Sequence, residues 1–171
     1  LCGLHQLDKI VRSGVKSLKI EGRMKGPEYV AVVVRAYRKY LDIIIRNMAS
    51  GREGSPEISD ADVMELKQIF NRGGFTDGYL TGKTGKDMMC FEKPKNGGVY
   101  LGEAIGFNKK TSNIKLKLCN KLSTGDGIEV WNGENSSPGA VVSSIIKGNE
   151  NVKSARPGDI VQVGCLKGNI P

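Results

Sequence analysis

The sequence predicts two units: an α/β piece over residues 1–90, followed by a small antiparallel β-barrel over residues 91–171. Three observations carry this. Helix, glycine, strand, turn and helix succeed one another up to residue 48 without a hairpin signal, the grammar of parallel strands. From about residue 97 the runs "GVYLGEAIGF", "NIKLKLC", "GIEVW", "GAVVSSII" and "DIVQVGC" are short and β-rich with no helix between them, which argues a barrel. Finally, "LSTGDGIEV" and "ARPGDIVQV" repeat one turn, Gly-Asp before a β-branched run.

Each element has a local reason. Leu4, Leu7, Ile10 and Val11 share one helical face, and Gly14 stands where a helix C′ glycine belongs. Val15 to Glu21 reads as a strand. Pro27 fits a helix N1 position, and Val30, Val33, Val34, Tyr37, Leu41, Ile44, Ile45 and Met48 recur at three- and four-residue steps over residues 27–48. After the polar loop "MASGREGSPEI", Ser59 or Asp60 caps a helix over 60–71 with Val63, Leu66, Ile69 and Phe70 inward. The stretch "NRGGFTDGYLTGKTGKD" is a glycine-rich connector. In the repeated turns, Gly125 and Gly158 are free to take positive φ, and Asp126 and Asp159 can bond the turn backbone.

Composition narrows the function without naming it. The chain carries 26 Lys and Arg against 18 Asp and Glu, a net +8, with the excess shared between the two halves. That balance suits an anionic partner such as RNA, and serves solubility equally well. No apolar run approaches the roughly 18 residues that span a bilayer, so no membrane partner is expected. Cys2, Cys90, Cys119 and Cys165 show no metal-type spacing, so no metal site is predicted; they read as reduced thiols of a cytoplasmic protein. Cys90, Cys119 and Cys165 sit in or beside strand-like runs and are expected in the core, while Cys2 stands apart. His5, the single histidine, is given no role, and no nucleophile–base pair is evident.

The stretch "SLKIEGRMKGPEYV" poses the main question, because strand periodicity puts Lys19, Glu21 and Arg23 on one face. An exposed edge strand would make them a solvated face. In a parallel barrel they would sit toward the active-site mouth. Glu21 would then lie between two cations, and Arg23 would offer a fork for a carboxylate or phosphate.

The residues "LCGLHQLDKIVRSGVKSLKIEGRMKGPEYV", with "FNRGGFTDGYLTGK" and "PKNGGVYLGEAIGF", resemble the closing part of the collagenase-like peptidase family numbered thirty-two among peptidases of unknown type. That resemblance covers essentially the whole chain. It implies the last part of a TIM-like parallel barrel plus helices, then a small β-barrel of the translation-factor type. It makes Lys19, Glu21 and Arg23 catalytic candidates. Cys2 matches the Cys of the family's "DLC" element, and with Arg72, Tyr79, Lys115 and Lys117 it forms the substrate-binding set. The family's clustered cysteines lie upstream of the chain, so any iron–sulfur cluster is expected there, and no cofactor within these residues. The chain is accordingly read as the C-terminal fragment of a longer protein, inactive by itself. Three functions follow as expectations: a peptidase, as the family name implies; a protein needed for 5-hydroxylation of pyrimidines in ribosomal or transfer RNA; or a binding module. The barrel would bind RNA or the remainder of the parent chain.

Overall fold

The computed structural model describes residues 2–82, 85–88, 96–132, 135–136 and 139–166, and it divides into two compact units, Leu1–Val99 and Tyr100–Pro171. Cys90 lies outside the described residues.

The first unit is helical. A short 3-10 turn leads into α1 (Leu7–Arg12), which Gly14 ends at φ 86°, its N–H donating to Val11 O. α2 (Pro27–Ala49) begins with proline at its first turn, where a missing N–H costs nothing. α3 (Asp60–Ile69) is capped by Ser59, whose Oγ accepts from Asp62 N–H at 3.2 Å. It stops at Ile69, two residues before the expected end. A single turn, α4 (Gly78–Thr81), follows. Leu4, Leu7, Val33, Ala36, Tyr40, Ile44 and Leu66 form the core, and each large side chain so buried is worth about 1.5–3 kcal/mol.

Two sequence expectations change here. The buried stripe of α2 runs through Val33, Ala36, Tyr40 and Ile44, while Val30, Val34, Ile45 and Met48 are exposed. Apolar residues surround most of this helix, so periodicity alone could not choose the inward face. Residues 15–22 form no strand ladder among the described residues, and only Ile20 packs on the core. A strand exists by pairing, and no described segment offers this one a neighbour.

The second unit is an antiparallel, curled sheet. Its strands are β1 (Gly102–Asn108), β2 (Asn113–Leu118), β3 (Leu122–Ser123), β4 (Gly127–Ile128), β5 (Trp131–Asn132), β6 (Asn135–Ser136), β7 (Ala140–Lys147), β8 (Glu150–Val152), β9 (Ser154–Ala155) and β10 (Ile160–Leu166). The main sheet runs β1-β2-β10-β7-β4, with β8 on the side of β7; β3 pairs β9, and β5 pairs β6. Among the described residues no ladder joins β1 to β4, so the expected antiparallel barrel is a curled sheet that stays open between these strands. Alternation drives burial: Leu116, Leu118, Val142, Ile145, Val161 and Val163 point into one core, while Lys115 and Lys117 point out. Cys119, next in that alternation after Leu118, is exposed rather than in the core, and Cys165 is half-buried against it.

The repeated Gly-Asp turn proves to be an internal pseudo-symmetry. Gly125 N–H donates to Val142 O (2.8 Å) and Val142 N–H to Asp126 O (2.9 Å). Gly158 N–H donates to Leu118 O (2.7 Å) and Leu118 N–H to Asp159 O (2.9 Å), the same bonds in the second copy. Both glycines take positive φ, 92° and 89°. In each turn the aspartate carboxylate accepts from a backbone N–H three residues back: Ser123 at 2.8 Å and Arg156 at 2.9 Å.

Candidate functional site

The charged segment forms a turn that leads into α2. Lys25 N–H donates to Gly22 O at 3.1 Å, closing a four-residue turn with Arg23 and Met24 at its tip. Lys19, Glu21 and Arg23 are all exposed. The expected interleaving of charges is absent: the Glu21 carboxylate accepts from the Arg23 backbone N–H at 2.9 Å, and no ion pair joins it to the Lys19 or Arg23 side chains. A carboxylate two residues back reaches a turn N–H without ordering a long side chain, whereas an exposed ion pair gains at most about 1 kcal/mol. Both cationic heads are therefore left in solvent.

The turn is braced from below by rings. Lys25 Nζ sits 3.2 Å from the centroid of the Phe70 ring and 5.7 Å from that of Tyr29. Arg72 Cζ lies 5.2 Å from the Phe70 centroid, and Tyr29 meets Phe70 edge-on at 6.1 Å. Ring faces attract cations, so Phe70 gathers Lys25 and Arg72 although 47 residues separate them in the chain. Of the sequence-predicted residues, Arg72 is thus brought beside the turn that carries Arg23. The role of Phe70 was missed, having been assigned only to the core.

Cys2 belongs to a second cluster on the same helix. Its N–H donates to Thr76 O at 2.8 Å, and its Sγ is 3.9 Å from Tyr37 Oη, which also accepts from Gly3 N–H at 2.9 Å. Burial, then the neighbouring Cys2, pushes the Tyr37 hydroxyl far above the ordinary phenol value, so Tyr37 stays neutral and cannot act as a base near pH 7. Gln6 Nε2 donates to Asp77 Oδ2 at 2.7 Å. These contacts tie the N-terminal turn to the connector. Tyr79 is 73% exposed and takes no part in them. Tyr29 and Tyr37 are eight residues apart on α2, about 12 Å along its axis, which separates the two clusters.

Lys115 and Lys117 lie in the other unit. Both face outward, Lys117 opposite Glu103 on β1 and opposite Ile160 on β10, and Lys115 opposite Gln162. An acidic side chain therefore stands beside Lys117 on the same face. His5 is exposed, and among the described residues no group of three His, Cys, Asp or Glu could hold a metal ion.

A family model, Peptidase family U32, matches residues 1–90. The chain belongs to peptidase family U32. Its relatives in this family carry two kinds of name. The chain is 32% identical to the "23S rRNA 5-hydroxycytidine C2501 synthase" of Escherichia coli over 72% of its own length and 18% of the relative's. It is 29% identical to the "tRNA hydroxylation protein P1" of Bacillus subtilis, over 77% of this chain and 30% of the relative. It is also 38% identical to a collagenase of Porphyromonas gingivalis, over 74% of this chain and 30% of that one. The chain thus spans less than a third of the length of each of these U32 relatives. No helix among the described residues is long and apolar enough to cross a membrane.

Proposed function

We propose that this U32 chain serves a cytoplasmic protein needed for 5-hydroxylation of pyrimidines in ribosomal or transfer RNA. The observation that carries the reading is the turn at residues 22–25, where Lys25 and Arg72 gather around the Phe70 ring and Arg23 stands exposed at the tip, none of the three with an ion-pair partner among the described residues. Unpaired guanidinium and ammonium groups beside aromatic rings suit a polyanion that carries stacked bases. The names of the RNA-modifying relatives favour the same substrate. In this reading residues 15–21 are a strand of a TIM-like barrel completed by chain outside these residues, and Lys19, Glu21 and Arg23 stand at its mouth. The curled sheet is the translation-factor-type module, and any iron–sulfur cluster lies upstream.

The collagenase relative supports a second reading, a peptidase. Peptide hydrolysis needs a nucleophile with a base, or an activated water. Among the described residues no Ser, Thr or Cys side chain is hydrogen-bonded to His5, and Tyr37 beside Cys2 is held neutral. Mass spectrometry of ribosomal and transfer RNA from cells lacking the gene distinguishes the two. Loss of a 5-hydroxypyrimidine supports the RNA reading, and an unchanged pyrimidine pattern overturns it.

A further inference from the structure

Met24 is the most anomalous side chain among the described residues. It is 94% exposed, and its backbone stands at φ 62°, the left-handed region that favours glycine. Only one other non-glycine among the described residues, the polar Ser112, has positive φ. Among the described residues glycine stands at twelve positive-φ positions, so glycine at residue 24 would have relieved the strain. Instead a long apolar side chain is held out into solvent by the Lys25–Gly22 hydrogen bond and by Lys25 docked on Phe70. No described residue of this unit buries it.

Its surroundings specify the partner. Lys16, Lys19, Arg23, Lys25 and Arg72 face two carboxylates on the same stretch, Glu21 and Glu28. The Glu21 carboxylate is occupied by the turn. An apolar tip flanked by unpaired cations is complementary to a chain that alternates anionic groups with flat apolar faces. That is single-stranded nucleic acid, into whose base steps proteins insert apolar wedges. We propose that the Gly22–Lys25 turn is a contact site for single-stranded RNA, where Met24 packs on an unstacked base and Arg23 and Arg72 hold the flanking phosphates. The inference rests on the RNA reading above and adds the residues that touch the strand.

The test is a titration of this chain, by fluorescence anisotropy, with a labelled oligouridylate of about 20 nucleotides, a length that covers one or two single-strand sites. Heparin, a polyanion without bases, runs in parallel. Met24→Gly is expected to weaken RNA binding about three- to tenfold, leave heparin binding unchanged, and leave the melting temperature unchanged or raised by about 3 °C. Met24→Leu should restore RNA binding. Arg23→Ala should weaken both ligands and reduce the salt slope by about 0.7, the share of one phosphate on a single strand. If the unaltered chain binds no RNA, the site is overturned, while the RNA reading stands or falls on the pyrimidine pattern of cells lacking the gene. If it binds RNA and Met24→Gly binds equally well, the site alone is overturned. The site is also overturned if Met24→Gly lowers the melting temperature, or loses affinity for gelatin peptides and not for RNA, because Met24 would then serve packing or a peptide.

Discussion

Replacing Tyr40 by Phe tests how the helical unit is held together. The ring is 2% exposed, and Phe fills the same space, so packing is conserved. What is lost is the hydroxyl, which donates to Asp62 Oδ2 and accepts from Ser59 N–H at 2.9 Å. A hydrogen bond to a charged group is worth about 1.5–3 kcal/mol and a neutral one about 0.5–1.5. Ser59 is exposed, so water can take over its N–H, and Asp62 keeps Lys39 Nζ and Ser59 Oγ, both at 2.6 Å. The expected loss is therefore near the lower end, about 2 kcal/mol, read by urea denaturation of the helical circular-dichroism signal. The same network gives a pH signature. Lys39 first, then Ser59 and Tyr40, lower the Asp62 carboxyl from 3.8 to about 2. A carboxyl depressed on folding contributes stability above its unfolded value, and that contribution is lost as pH falls from about 4 to about 2. Without the Tyr40 hydroxyl the depression is smaller, so the gap between the two proteins should narrow across that window. A loss below about 0.5 kcal/mol, or a gap that stays constant to pH 2, would refute the reasoning.

Gly102→Ala should destabilise the sheet unit by about 2 kcal/mol or more, because a Cβ there would lie 2.1 Å from Lys117 O at φ 154°; an unchanged denaturation midpoint by Trp131 fluorescence would contradict this. Asp126→Ala and Asp159→Ala should each lower the denaturation midpoint of the sheet unit by freeing a turn N–H. Asp159→Ala should lower it slightly more, since Lys147 Nζ also pairs with that carboxylate at 2.8 Å. Equal stability of either variant and the unaltered chain would remove the pseudo-symmetric turns from the account.

Much of this was legible in the residues. Pro27, the Ser59 cap and Gly14 punctuate the helices as their backbone chemistry requires, and the two Gly-Asp turns announced a repeat that the hydrogen bonds bear out. What sequence could not give depended on partners distant in the chain. "SLKIEGR" alternates like a strand, but pairing is a property of two segments, and the described residues supply only one. The inward face of α2 was ambiguous because too many of its faces are apolar. Cys119 was placed in the core for its residue type, when period-two alternation from Leu116 and Leu118 already turned it outward. Met24 gave no signal at all, since methionine is not a residue one expects at positive φ.

The central claim is that the segment from Lys19 to Lys25 serves RNA modification. Its most direct test is an Arg23→Ala exchange in the gene encoding this chain, with RNA 5-hydroxypyrimidines quantified by mass spectrometry and protein abundance checked in the same cells. Arg23 is exposed and only its backbone N–H has a partner in the turn, so the protein should accumulate normally. The account predicts that the modification falls to the level of cells lacking the gene; a wild-type level of modification at equal abundance would contradict it.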